Sequence, residues 1–133
     1  ELVNGNPRQD FLWEHTCYEI FIGVHGEDFY REINLSPSQA WQVYQFEEYR
    51  YPEDMPPQTA NDIELNQLKR THYGLSVNLD LTEFMLKHKL QWANLFLSLS
   101  AVLKTSQGNQ YYAMQHSSPN ADFHNKRDWL HVF

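Results

Sequence analysis

The chain has one cysteine, Cys17, in 133 residues, which excludes an intrachain disulfide framework and any zinc site built on cysteines. A lone thiol fits a reducing compartment, so the expected location is the cytoplasm. Basic residues are also scarce, 10 against 17 acidic ones, for a net charge of -7. The positive field that would hold a phosphate backbone is missing, and nucleic acid is not an expected partner. No apolar run approaches the roughly 20 residues that span a bilayer, so no membrane partner is expected. Residues 1–10 (ELVNGNPRQD) offer neither a basic leader nor an apolar stretch, and no secretory signal is visible in them. Gly-x-Ser-x-Gly, a Gly-rich phosphate loop and His-Glu-x-x-His are all missing, which leaves an enzyme without sequence support. The lack of βαβ alternation excludes a parallel α/β fold.

What the chain does contain is 41% hydrophobic residues, enough for one domain over residues 1–133 with its own core. Charge is unevenly placed. Residues 1–66 hold thirteen acids and three bases, net -10, while 67–133 hold four acids and seven bases, net +3. The acidic loop Glu47, Glu48, Glu53 and Asp54 reads as a solvated face, with a calcium site as the alternative.

Strand patterns dominate. Residues 16–23 (TCYEIFIG) and 29–35 (FYREINL) are rich in β-branched and aromatic types, and a Gly- and Asp-containing loop separates them as in a hairpin. Residues 40–46 (AWQVYQF) follow the turn Ser36-Pro37-Ser38-Gln39 as a third strand. The proline-containing stretch 47–72 reads as an irregular excursion, ending in a short strand or helical turn at 63–69. Period-2 alternation marks 74–80, with Leu75, Val77 and Leu79 on one face. Residues 81–89 switch to helix formers with Thr82 as N-cap. The run 92–103 alternates again, and Ala93, Leu95, Leu97, Leu99, Ala101 and Leu103 form its expected core face. Residues 110–115 close a second hairpin, and 128–133 make a last strand. About seven short strands with one minor helix predict an all-β fold, an antiparallel β-sandwich.

Alternation also gathers polar residues. Cys17, Glu19 and Phe21 share one face of the first strand, and Tyr30, Glu32 and Asn34 share one face of the second. Aligned, Glu19, Glu32 and Asn34 form a patch that is either an exposed sheet face or the floor of a ligand site. Tyr44 and Phe46 are expected in the core, with Tyr49 and Tyr51 continuing the aromatic run.

Three segments then carry a resemblance. Residues 12–21 (LWEHTCYEIF), the run from Tyr30-x-Glu32-Ile33-Asn34 through Ser36-Pro37-Ser38 to Trp41 and Tyr44-x-Phe46, and Asp122-Phe123-His124 occur in this order. Together they resemble bacterial DOMON-like proteins related to family 9 carbohydrate-binding modules. The resemblance implies a β-sandwich that binds sugars or, in other branches, haem. It implies Trp13 as a hydrophobic platform just before a strand, Glu19 six residues later, and Glu32 as the polar contact from the next strand. An indole face packs on the apolar face of a pyranose while carboxylates accept its hydroxyl protons. Sugar-binding modules bring a second tryptophan from a late loop, and residues 116–127 (HSSPNADFHNKR) contain none. Trp13 as an ordinary core residue is the other reading.

The expected function is a non-catalytic ligand-binding domain for a saccharide, with Trp13, Glu19, Glu32, Asn34 and His124 at the site. The alternative is an interaction or structural module that keeps the fold. No cofactor is expected. His116, Asp122 and His124 match no standard metal spacing, and Met55, Met85 and Met114 lack a motif selecting a haem ligand. Asp122 and His124 read as a loop lock bonding backbone N–H groups. Relatives carry further strands upstream of the Leu-Trp motif, so the sheet is expected to be completed by an upstream segment or by a homodimer.

Overall fold

A computed structural model describes residues 6–72, 74–113, 122–126, 129 and 130. Alternating, β-branched sequence gives five strands in one antiparallel sheet: β1 (Cys17–Val24), β2 (Tyr30–Leu35), β3 (Trp41–Phe46), β6 (Leu95–Thr105) and β7 (Gly108–Ala113), in the order β3-β2-β1-β6-β7. Among the described residues the two other strands, β4 (Glu64–Thr71) and β5 (Gly74–Asp80), pair with each other and with no further strand. One short helix, α1 (Thr82–Lys87), follows them. The fold is therefore all-β and antiparallel with a single minor helix, as the alternation predicts.

The sheet has two unlike faces. On one, Ile22, Val24, Ile33, Leu35, Trp41, Val43 and Leu95 are buried beneath Leu65, Leu68, Leu75, Val77 and Leu79 of the β4–β5 hairpin and Phe84 of α1. On the other, Phe21, Tyr30, Tyr44, Phe46 and Trp129 form an aromatic cluster. Strand register assigns the polar residues to this second face: Glu19 lies opposite Asn34 and Ser100, and Glu32 lies opposite Phe21 and Tyr44.

Several local expectations change. The uncertain stretch at 63–69 is strand β4. Residues 92–94 form a 3-10 turn rather than the start of a strand, and the Gln91 and Asn94 side chains cap each other's backbone. Thr82 is the first helical residue, its N–H held by the Asp80 carboxylate at 2.9 Å, and Leu81 occupies the N-cap. On β6, Leu95 is buried but Leu99 is 46% exposed, while Ser98, Ser100 and Val102 on the opposite face are buried. Alternation shows which residues share a face, and the covering elements decide which face is covered. Leu130 bridges to Leu97. Trp129 is described as well, and residues 128 and 131–133 of the expected last strand, together with Met114, Gln115 and His116, lie outside the described residues.

Gly23 sits beneath the aromatic cluster. A Cβ there would come within 2.8 Å of both Phe96 and Trp129 ring carbons, closer than packed atoms approach. Gly23→Ala is expected to cost about 1–3 kcal/mol, the usual penalty of overpacking. Urea denaturation checks this, and an unchanged midpoint would contradict it.

Candidate functional site

Trp13 is placed by the segment before it. Arg8 reaches the Gln42 side chain (2.7 Å) and the Ala60 carbonyl (2.7 Å), and Asp10 accepts hydrogen bonds from Tyr44 Oη (2.8 Å) and Gln42 Nε2 (3.2 Å). Residues 6–10 are thus laced along β3, and the chain turns through a 3-10 segment, Leu12–Glu14. The Trp13 ring meets Tyr44 and Phe11 edge-on, at centroid distances of 5.7 and 5.2 Å. It is partly buried, neither a core residue nor a free one.

In front of it lies a pocket of about 370 Å³, a size that suits small-molecule ligands. Trp13, Glu19, Glu32 and His124 all line it. Asn34 does not line the pocket; it is fully buried behind the two carboxyls, and its amide nitrogen donates to Glu32 Oε2 (2.8 Å) and Glu19 Oε2 (3.3 Å). The five residues singled out from the sequence are therefore neighbours, although they come from the segment before β1, from β1, from β2 and from the late chain.

Glu19 and Glu32 are 6% and 5% exposed, and their carboxyls hydrogen-bond each other. Burial pushes both above the usual carboxylate range, and the neighbouring Glu19 charge raises Glu32 further. Two buried carboxyls in contact cannot both ionise cheaply, so ionisation of one opposes ionisation of the other and the arrangement favours a shared proton. Ser100 Oγ lies 3.5 Å from Glu19 Oε1, adding little.

His124 joins the pair to the late segment. Tyr30 Oη accepts the Arg50 backbone N–H (3.0 Å) and stands 2.7 Å from His124 Nδ1. That arrangement assigns the Tyr30 proton to Nδ1 and leaves Nε2–H facing Glu32 Oε1 at 3.3 Å. Burial, then the Arg50 charge, lowers the imidazole to about 3, so His124 is neutral and its contact with Glu32 is a hydrogen bond rather than an ion pair. Both ring nitrogens are engaged.

The late segment is locked, but not as the sequence implied. Asp122 accepts from the side chains of Arg50 (2.8 Å) and Tyr49 instead of from backbone N–H groups. Lys126 Nζ donates to the carbonyls of Asp28 (2.7 Å) and Glu27 (3.0 Å), clamping the β1–β2 turn. Arg50 and Tyr111, which sequence reasoning did not single out, also line the pocket, as do Met55, weighed only as a haem ligand, and Phe123, noted only within a motif. The signal for Tyr30 was available, because it shares a strand face with Glu32. Arg50 and Phe123 sit in loops, where no periodicity points at them. Among the described residues no group of three or more His, Cys, Asp or Glu side chains is placed to hold a metal ion. Met85 packs on the opposite face.

The carboxyl pair has a pH signature. A carboxyl whose folded value is raised contributes stability that is fully present below its unfolded value, about 4.3, and is lost as pH rises. The double variant Glu19→Gln/Glu32→Gln is expected to lose this dependence and to be more stable than the parent at neutral pH by about 0.5–2 kcal/mol. Denaturation at several pH values checks it. Parallel curves for the two proteins would contradict a shared proton.

Comparison with models of known families, with curated proteins and with solved structures finds no match to the chain, so its function is argued from this geometry.

Proposed function

We propose that the chain is a non-catalytic ligand-binding domain whose pocket takes a saccharide. The observation that carries this reading is the placement of the partly exposed Trp13 indole in one pocket with two buried carboxyls, Glu19 and Glu32. An indole offers a flat apolar surface to the C–H face of a sugar ring, and the carboxyls and His124 offer acceptors and donors to its hydroxyls. The spacing of Trp13 and Glu19, which resembles that of family 9 carbohydrate-binding modules, supports the same reading. Haem is the weaker candidate because His124, which with Met55 lines the pocket, already engages both nitrogens.

Binding is expected to be weak, since hydroxyl contacts largely exchange with water and one indole supplies a one-sided platform. Titration with mono- and disaccharides followed by NMR tests this. The expected result is saturable shifts of the Trp13 indole and the Asn34 amide. No response to any saccharide would contradict the proposal.

A second reading, an interaction module, draws on Leu99 and Tyr112, which are 46% and 52% exposed where the hairpin-packed face of the sheet continues onto β6 and β7. Among the described residues, β7 has a single strand neighbour, the kind of edge that a second copy or an upstream segment would cover. Concentration-dependent dimerisation, lost on placing a lysine at Tyr112, would favour it.

A further inference from the structure

We infer that the pocket's preferred ligand carries an ammonium group, which docks between the Glu19 and Glu32 carboxyls and the aromatic rings around them. The inference rests on the reading of this pocket as the ligand site and narrows its chemistry.

The first support is the balance of charge. Four carboxyl residues line the pocket: Glu19 and Glu32 at the floor, Glu53 and Asp54 at the exposed lip. Among the described lining residues Arg50 is the one arginine or lysine, and its guanidinium is already committed to Asp122 at 2.8 Å. A cleft of one sign with low-dielectric walls concentrates the opposite charge. The second support is independent of charge. Trp13, Phe46, Tyr111 and Phe123 supply aromatic surface to the same pocket, and ring faces attract a desolvated cation. A neutral polyol would use the acceptors but would bring no positive charge to the acidic side of the pocket.

Proton balance follows. In this scheme the empty pair shares one proton, as two buried carboxyls in contact favour, and has a net charge of -1. An arriving ammonium ion, R–NH3+, replaces that proton, which passes to the buffer, and the ionised pair with its ligand again totals -1. Groups facing the pair that bear on this exchange are Cys17 on β1, Tyr30 on β2, Tyr44 on β3 with its partner Asp10, Arg50 with Asp122, and His124. The Cys17 thiol is pushed up by burial, and the Tyr30 and Tyr44 phenols likewise. His124 is neutral, which leaves the carboxyl pair, held above the usual carboxylate range, as the group that gives up a proton to the ligand.

Calorimetric titration with cyclohexylamine tests the inference. Its ring is of pyranose size, and its ammonium, like that of lysine with a value near 10.4, stays charged over the range of interest. Cyclohexanol is the neutral control, and glucose tests the saccharide reading separately. Cyclohexylamine is expected to bind at least about tenfold more tightly than cyclohexanol, the worth of one charge-assisted hydrogen bond. Its affinity should rise from mildly acidic to neutral pH, and buffers of different ionisation heat should report proton release. Glu32→Gln, with folding verified by circular dichroism, should abolish both the pH dependence and the preference for the amine.

Equal affinity for amine and alcohol, or binding without proton release, overturns the inference. If glucose then binds, the saccharide reading survives alone. If the amine binds as described and no sugar does, the saccharide reading falls and the ammonium site stands. Binding of none of them overturns both.

Discussion

Replacing Asp62 with alanine is expected to remove about 3–5 kcal/mol of folding stability and to lower the melting temperature by roughly 10–20 °C. Asp62 precedes β4, and its backbone carbonyl accepts the Phe84 N–H of α1 at 3.0 Å. Its carboxylate holds Arg31 of β2 in a forked contact, Nε to Oδ1 at 3.1 Å and Nη2 to Oδ2 at 2.7 Å. Both side chains are about 95% buried, at 5% and 4% exposure. Arg31 also lies 5.0 Å from the Phe84 ring centroid. The pair therefore joins the sheet to α1, the element that helps to cover its apolar face. Burial alone would raise the Asp62 carboxyl, but the hydrogen bonds and charges of Arg31 and Lys87 outweigh it and hold Asp62 below the usual range.

The large cost comes from what remains. Alanine at 62 leaves a buried guanidinium without its partner, which is more damaging than losing the pair as a whole. The double variant Arg31→Met/Asp62→Leu should therefore recover most of the lost stability. Lys87, 54% exposed and 3.2 Å from Asp62, is screened by water, and Lys87→Ala should cost less than about 1 kcal/mol. Because the folded carboxyl is lowered, its contribution is present above about pH 4 and is lost as pH falls further. Denaturant titration of the three variants checks these values. A single-variant loss as small as that of Lys87→Ala would contradict the buried pair.

Most of the sheet was legible because its strands obey period 2. The faces of β1 and β2, with Glu19 on one and Glu32 and Asn34 on the other, followed from alternation alone. Bringing them together required the antiparallel register, which the hairpin composition between Gly23 and Asp28 made expectable. The Arg31–Asp62 pair was not legible. Arg31 sits in an alternating strand at a position facing the apolar core, and its partner lies 31 residues away in an irregular stretch. The pocket wall was half legible for the same reason. Trp13 precedes a recognisable strand, whereas Arg50, Met55 and Phe123 reach the pocket from loops, which carry no period. Leu99 shows the converse limit, since its alternation was read correctly and its cover was not.

The second large effect concerns Trp13. Its ring packs edge-on against Tyr44 and Phe11, contacts worth about 0.5–1.5 kcal/mol each. It remains partly exposed at the pocket, so truncation removes the platform without opening a core cavity. A core tryptophan would instead cost about 3–5 kcal/mol. Trp13→Ala should thus abolish ligand binding while lowering stability by about 1–3 kcal/mol, and the two effects separate a binding role from a packing role.

The most direct measurement is a paired titration of the parent protein and Trp13→Ala with mono- and disaccharides, with the melting temperature of each recorded. The account predicts weak, saturable binding by the parent, none by the variant, and a melting temperature lowered by less than about 10 °C. No saccharide binding by the parent together with a core-sized loss of stability in the variant would contradict it.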